Sequence, residues 1–287
     1  MHPMPHSRKR FIPLLAAVLP VVVAAAGPDA GFSGWLGVSA MVFDYEETDA
    51  RGVLDREEGE MPGLDGGLRL EHGSWFAEAG LTWWSGMVDY ESLVPPVVTS
   101  KTDEDILAVG LLVGRQVWEE GANSLHLVGG GGYRDWQRNI RSVPGVATGL
   151  DENYTWWYGA LGVRAARVVD THTRVQADLL LTHTIEPEIE VDFHGAFDTA
   201  TAGLGDETGF RIAITLERVI SRTATLRLSP WYEYREFGRS RDVPLFIGGV
   251  PSTSGGLPVT FVEPDSETRN LGINLGLVWR PGTATKD

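Results

Sequence analysis

The sequence predicts an all-β protein, a single ten-stranded antiparallel transmembrane β-barrel in up-and-down order behind a cleaved signal peptide. Three observations carry this. The stretch Asn270 to Arg280 alternates: Leu271, Ile273, Leu275, Leu277 and Trp279 are large and apolar, with Asn270, Gly272, Asn274 and Gly276, then Val278 and Arg280, between them. A period of two is a strand with two unlike faces, and this one is long enough for a tilted bilayer crossing of roughly 9–11 residues. Nine further segments repeat the design. The joins between them alternate short and long, the rhythm of an outer-membrane barrel with long loops on one side.

The first element is the leader. Met1 to Ala26 has a basic start (Arg8, Lys9, Arg10), an apolar run from Phe11 to Val23 broken by Pro13 and Pro20, and small residues Ala24 to Ala26 for cleavage. Residues 27–287 then form the barrel domain. Ten strands follow: Gly34–Tyr45, Leu64–Glu71, Trp75–Val88, Ile106–Val117, Leu125–Trp136, Tyr154–Val168, Arg174–Glu186, Phe210–Val219, Thr225–Phe237 and the closing strand. The joins at His72–Ser74, Glu119–Ser124, Val169–Thr173 and Ile220–Ala224 are short. Those at Glu46–Gly63, Asp89–Asp105, Gln137–Asn153, Pro187–Gly209 and Gly238–Thr268 are long. The long set is expected to be extracellular and both termini periplasmic, in a bacterial outer membrane.

Alternation assigns the faces. On the eighth strand Phe210, Ile212, Ile214 and Leu216 oppose Arg211, Ala213, Thr215 and Glu217; the seventh and ninth behave alike. A charge at mid-membrane on the lipid face costs up to roughly 2–4 kcal/mol, so the regular charges must point inward. The fourth strand is apolar on both faces from Ile106 to Val113, and alternation does not separate them. Aromatics near strand ends (Trp83, Trp84, Trp136, Trp156, Trp157, Tyr232, Tyr234 and Trp279) read as interfacial girdles.

Composition narrows function. The formal charge of −15 becomes −18 once the three basic residues of the leader are gone, and so acidic a chain does not suit nucleic acid. Cys 0 excludes a disulfide framework. Gly 35 and Trp 10 fit a barrel, glycine for close strand approach and tryptophan for interfaces. No calcium loop or cofactor motif stands out, so neither metal nor cofactor is expected. The acids Glu46, Glu47, Asp49, Asp55, Glu57, Glu58 and Glu60, beside Arg51 and Arg56, read as a solvated loop. Ten strands enclose a narrow lumen. Its inward charges, Arg69, Glu71, Glu78, Arg164, Asp178, Arg211, Glu217, Arg227, Glu233 and Arg235, carry both signs and are expected to pair and fill it. A constricted pore for a small solute is the alternative. The expected partners are outer-membrane lipid, lipopolysaccharide and the insertion machinery, with the ligand left open.

Gly132 to Trp136, Trp231 to Tyr234 and the terminal strand resemble features of uncharacterised proteobacterial outer-membrane β-barrel proteins. Here Pro281 to Asp287 follow Trp279, whereas such barrels usually stop at the terminal aromatic. A second set of residues, Gly86 to Glu91 at the outer end of the third strand and Asp192-Phe193-His194 in the long loop after the seventh, resembles the ten-stranded omptin proteases. That resemblance implies an acidic pair, Asp89 and Glu91, facing an Asp–His pair, Asp192 and His194, across the barrel mouth. A histidine oriented by a carboxylate is then the general base on a water. The family pattern has Asp where this chain has Glu91. A phospholipase reading needs a serine near His183, and no such serine stands out. The preferred reading is a structural or surface-binding barrel, the omptin-like endopeptidase being kept as the alternative.

Overall fold

The structure is a computed structural model that describes residues 31–95 and 97–280. The predicted signal peptide and the tail after Arg280 lie outside the described residues. Ten long strands form the wall: β1 Gly31–Asp49, β2 Gly52–His72, β3 Trp75–Ser92, β4 Val98–Glu120, β5 Asn123–Ile140, β6 Leu150–Val168, β7 Thr173–Asp192, β8 Thr208–Val219, β9 Ala224–Phe237 and β10 Asp265–Trp279. Each pairs antiparallel with its chain neighbour. The barrel closes where β1 meets β10, from Gly34 opposite Trp279 to Thr48 opposite Asp265. Closure leaves no sheet edge along the wall, which a bilayer demands.

The outward face carries a continuous apolar belt. Leu36, Val38 and Val42 on β1, Leu161 on β6, Leu181 on β7, Ile214 on β8, and Leu271 to Leu277 on β10 are all exposed, Leu161 by 71%. So broad a band of exposed aliphatic side chains has no stable place in water. On β4, Leu107, Val109, Leu111 and Val113 join this face, while Ile106 and Ala108 turn in among buried residues.

Two expectations need correction. The strands run beyond the belt: β2 has 21 residues and β4 has 23, about twice a bilayer crossing. The stretch Glu46–Gly63 is therefore not a loop. β1 and β2 pair up to Asp49 opposite Gly52, with the turn at Ala50–Arg51. In this stretch both faces carry polar residues, so the apolar/polar rhythm that marks a half-buried strand fades although the ladder continues. The acidic run is thus not solvated as a whole. Asp44, Glu46 and Glu58 face out, whereas Glu47 and Glu57 face in and are buried.

The girdle is the second correction. Trp83, Trp157 and Trp279 are exposed, but Trp84, Trp136 and Trp156 are at most 3% exposed and point inward. Inward rings lie flat on glycines of the adjacent strand. A Cβ on Gly67 would stand 2.2 Å from the Trp35 ring, and one on Gly272 would stand 2.3 Å from that of Trp231. Bare backbone is what lets a narrow barrel take large side chains inside.

Candidate functional site

The interior has two chemically distinct halves. In the half nearer the short turns, ion pairs cross the lumen. Arg69 and Arg164 both hold Glu78 at 3.1 Å, and Arg164 also meets Asp178 at 2.6 Å. Higher up, Glu233 of β9 receives three guanidiniums, from Arg134 at 2.6 Å, Arg211 at 3.3 Å and Arg235 at 3.6 Å. Glu71 pairs with Arg69, and Glu217 with Arg280. Arg227 stacks on Trp35, its guanidinium carbon 4.8 Å from the ring centroid. A cavity of about 190 Å³ lies among these groups.

The half toward the long loops is aromatic. Met41, Phe43, Tyr45, Met61, Trp84, Val88, Ile106, Trp136, Tyr154, Trp156, Ile189, Val191, Trp231 and Phe237 form one buried cluster. Two excursions of the chain fold onto it. From residues 193–207 come Phe193, Ala200 and Ala202; from residues 238–264 comes Leu245, with Phe261 packed beside Phe193 at 5.8 Å. The excursions are joined to each other. The Asp198 carboxylate accepts the amides of Gly248 (2.9 Å) and Gly249 (2.7 Å), both glycines with positive φ, and Gly205 pairs with Gly238.

Inside this upper half Arg138 of β5 is fully buried among carboxylates. Its guanidinium lies 2.8 Å from Glu152, 3.1 Å from Glu57, and 3.6 Å from Glu47 and Glu104. It donates to the hydroxyls of Tyr45 (3.3 Å) and Tyr154 (3.1 Å), and Tyr154 donates to Glu263 at 2.5 Å. The indole of Trp136 donates to Glu104. The outward neighbours at these levels are Asp44, Glu46, Glu58, Asp103, Asn139 and Asp151, so the cluster stands above the apolar belt. Burial, joined by repulsion from Glu47, pushes Asp55 up to about 9. Burial likewise raises Glu152 to about 7 against the pull of Arg138, and drives Glu104 and Glu263 well above the carboxylate range. Asp55, Glu104 and Glu263 are thereby held toward the neutral, hydrogen-bonding form at neutral pH, which lightens the charge that Arg138 has to balance.

The four residues of the omptin resemblance are not brought into contact with one another across the mouth. Asp89 and Glu91 point outward from β3, their inward neighbours being Val88 and Tyr90, and Asp89 pairs with Lys101 of β4. His194 sits just past β7 with its imidazole 3.2 Å from Asp151 of β6. Asp192 accepts the His194 amide at 2.8 Å, a side-chain turn that holds His194 at φ 54. Asp170 and His172 at the opposite end of the barrel make the same turn, at 2.7 Å. The Asp-x-His string is thus explained locally in both places.

Sequence reasoning missed Arg134 and Arg138. The signal was present: Arg134, Trp136 and Arg138 continue the period of two, past the point at which the fifth strand was expected to stop.

No family model matches the chain, and no curated protein matches it in sequence. Among solved structures, the outer membrane protease OmpT from Escherichia coli aligns with TM-score 0.59 at 10% identity, over 88% of this chain and 97% of that one. This is the fold of the outer-membrane β-barrels. OprG from Pseudomonas aeruginosa (TM-score 0.42, 11% identity, 88% and 97% covered) and the translocator domain of the autotransporter NalP from Neisseria meningitidis (0.42, 12%, 94% and 95%) also match. At these identities the likeness is one of fold alone, and it rests on OmpT.

Proposed function

We propose that the chain is a bacterial outer-membrane barrel with a closed lumen, serving a structural or surface-binding role rather than conducting solute or cleaving peptides. The observation behind this reading is the filled interior: salt-bridged arginines in one half, and in the other an aromatic core on which both long excursions fold. In this reading the short turns face the periplasm and the long excursions the exterior. Lipid surrounds the apolar belt, and lipopolysaccharide meets the acidic collar above it, which includes Asp44, Glu58, Asp103 and Asp105.

Planar-bilayer recording of refolded protein tests the reading. No steady unitary conductance is expected, and large stable openings would replace it with the channel reading. Against the protease alternative, refolded wild type is expected to leave basic-residue peptides uncut and His194→Ala to change nothing. Cleavage abolished by that substitution would reinstate the protease.

A further inference from the structure

The lumen cavity holds an imbalance that the closed-barrel reading does not use. Five arginines and four carboxylates line it. Glu78 and Asp178 are engaged by Arg164, and Asp65 accepts from the Trp35 indole at 2.9 Å and from Thr82 at 3.2 Å. That leaves Glu233 alone among Arg134, Arg211 and Arg235, with Arg227 on the same cavity. One carboxylate offers two oxygens, and Arg134 takes both, its Nη1 at 2.6 Å from Oε1 and its Nη2 at 2.7 Å from Oε2. Arg235 is 2% exposed, yet its Nε and Nη1 have no hydrogen-bond partner in the protein. The Nε of Arg134 and the Nε of Arg227 are in the same condition.

Buried guanidinium N–H groups without acceptors are costly, and surplus positive charge in a low-dielectric interior attracts an anion more strongly than it would in water. The missing component is an acceptor with several oxygens and negative charge, small enough for a cavity of about 190 Å³. Forked guanidinium donors match oxyanions in this respect. We infer that the cavity beside Glu233 is a binding site for a small inorganic oxyanion of the phosphate or sulfate type, held by Arg235 and Arg134 with support from Arg211 and Arg227.

A second cavity lies toward the short-turn end. It is smaller and shares Trp35, Glu78 and Arg227 with the central one, and Arg69 and Arg174 line it. The aromatic half lies on the far side. Binding of an anion here does not depend on whether the barrel is closed to steady current.

The test uses the refolded full-length barrel in a non-ionic detergent free of phosphate, titrated with inorganic phosphate by calorimetry and by phosphorus NMR, with sulfate and chloride as comparators. Saturable one-site binding of phosphate or sulfate, with chloride at least tenfold weaker, is expected. Arg235→Gln should weaken binding at least tenfold while the unboiled protein still migrates faster than boiled on a gel. Glu233→Gln removes the internal competitor and should tighten binding severalfold, and it decides the matter even if Arg235→Gln fails to fold. The inference is overturned by non-saturable binding, by equal chloride binding, by unchanged affinity in a folded Arg235→Gln, or by no gain in Glu233→Gln.

Discussion

Arg138 shows how much depends on a single inward position. Its side chain is fully buried, and Glu47, Glu57, Glu104 and Glu152 all lie within 3.6 Å of it. Removing one partner of a buried charge set strands the others, at a cost of about 3–5 kcal/mol. Arg138→Met is expected to lower unfolding stability by that amount in urea titrations of the refolded barrel, and Arg138→Lys by less, because charge survives while the fork is lost. The neighbouring acids set the pH response. Asp55 rises from 3.8 to about 9 and Glu152 from 4.5 to about 7. Between those limits the folded state holds protons that the unfolded chain has released, so stability falls as pH rises. The contribution is complete below about pH 4, fades first through 7 and is gone above 9. Thermal midpoints followed by circular dichroism should drop from pH 5 to pH 9, and Asp55→Asn should flatten the upper part of that drop. A flat profile in the wild type would remove the buried-acid account.

Among the elements, the excursion at residues 238–264 has a clear task. Three two-residue pairings stiffen it: Val243–Pro244 with Thr260–Phe261 as a stem, and within it the hairpins Phe246–Ile247 with Val250–Pro251 and Thr253–Ser254 with Leu257–Pro258. It delivers Leu245 to the core and Glu263 to Tyr154. Replacing residues 241–262 by a short Gly-Ser turn should leave the ten-strand ladder intact, because the β9–β10 pairing ends at Phe237 opposite Ser266. If this element closes the mouth, the shortened protein will show conductance steps in planar bilayers that the intact one lacks; identical silence in both would place the closure in the wall side chains alone. The strand extensions follow similar logic. The chain continues as hydrogen-bonded wall past the apolar belt because the ladder needs only backbone, and the inward rings of Trp84, Trp136 and Trp156 bury area there that flexible loops would leave wet.

Across the whole molecule the charge is layered. The lower lumen is rich in arginine around Glu233, the upper lumen is rich in acids around Arg138, and the outward collar above the belt is acidic again. The formal charge of −15 is therefore not spread evenly. Acids gather where water or protonation can accommodate them, and arginines gather where the wall is surrounded by the apolar belt and carboxylates stand within reach. Each layer is held by its own close ion pairs and hydrogen bonds, Glu233 with its three arginines below and Arg138 with its carboxylates and tyrosines above.

The amino-acid order by itself determined the barrel, its strand number and its meander. Leu271 to Trp279 and the β8 set Phe210 to Leu216 alternate because a bilayer allows only one face to be polar, and that constraint is written residue by residue. The inward set from Arg69 to Arg235 was assigned by the same rule. The order did not determine where the strands stop, since above the belt Glu46 to Gly63 carry polar groups on both faces and the period of two loses its contrast. Nor did it determine which partners meet. Arg138 lies 91 positions from Glu47 and 81 from Glu57 in the chain, and Tyr154 lies 109 from Glu263. Only closure of the ring brings such groups within hydrogen-bond distance. The tertiary structure likewise decided that Asp89 faces outward and that His194 turns to Asp151, because a strand's pleat and a turn's dihedral angle, rather than spacing along the chain, set the direction of a side chain.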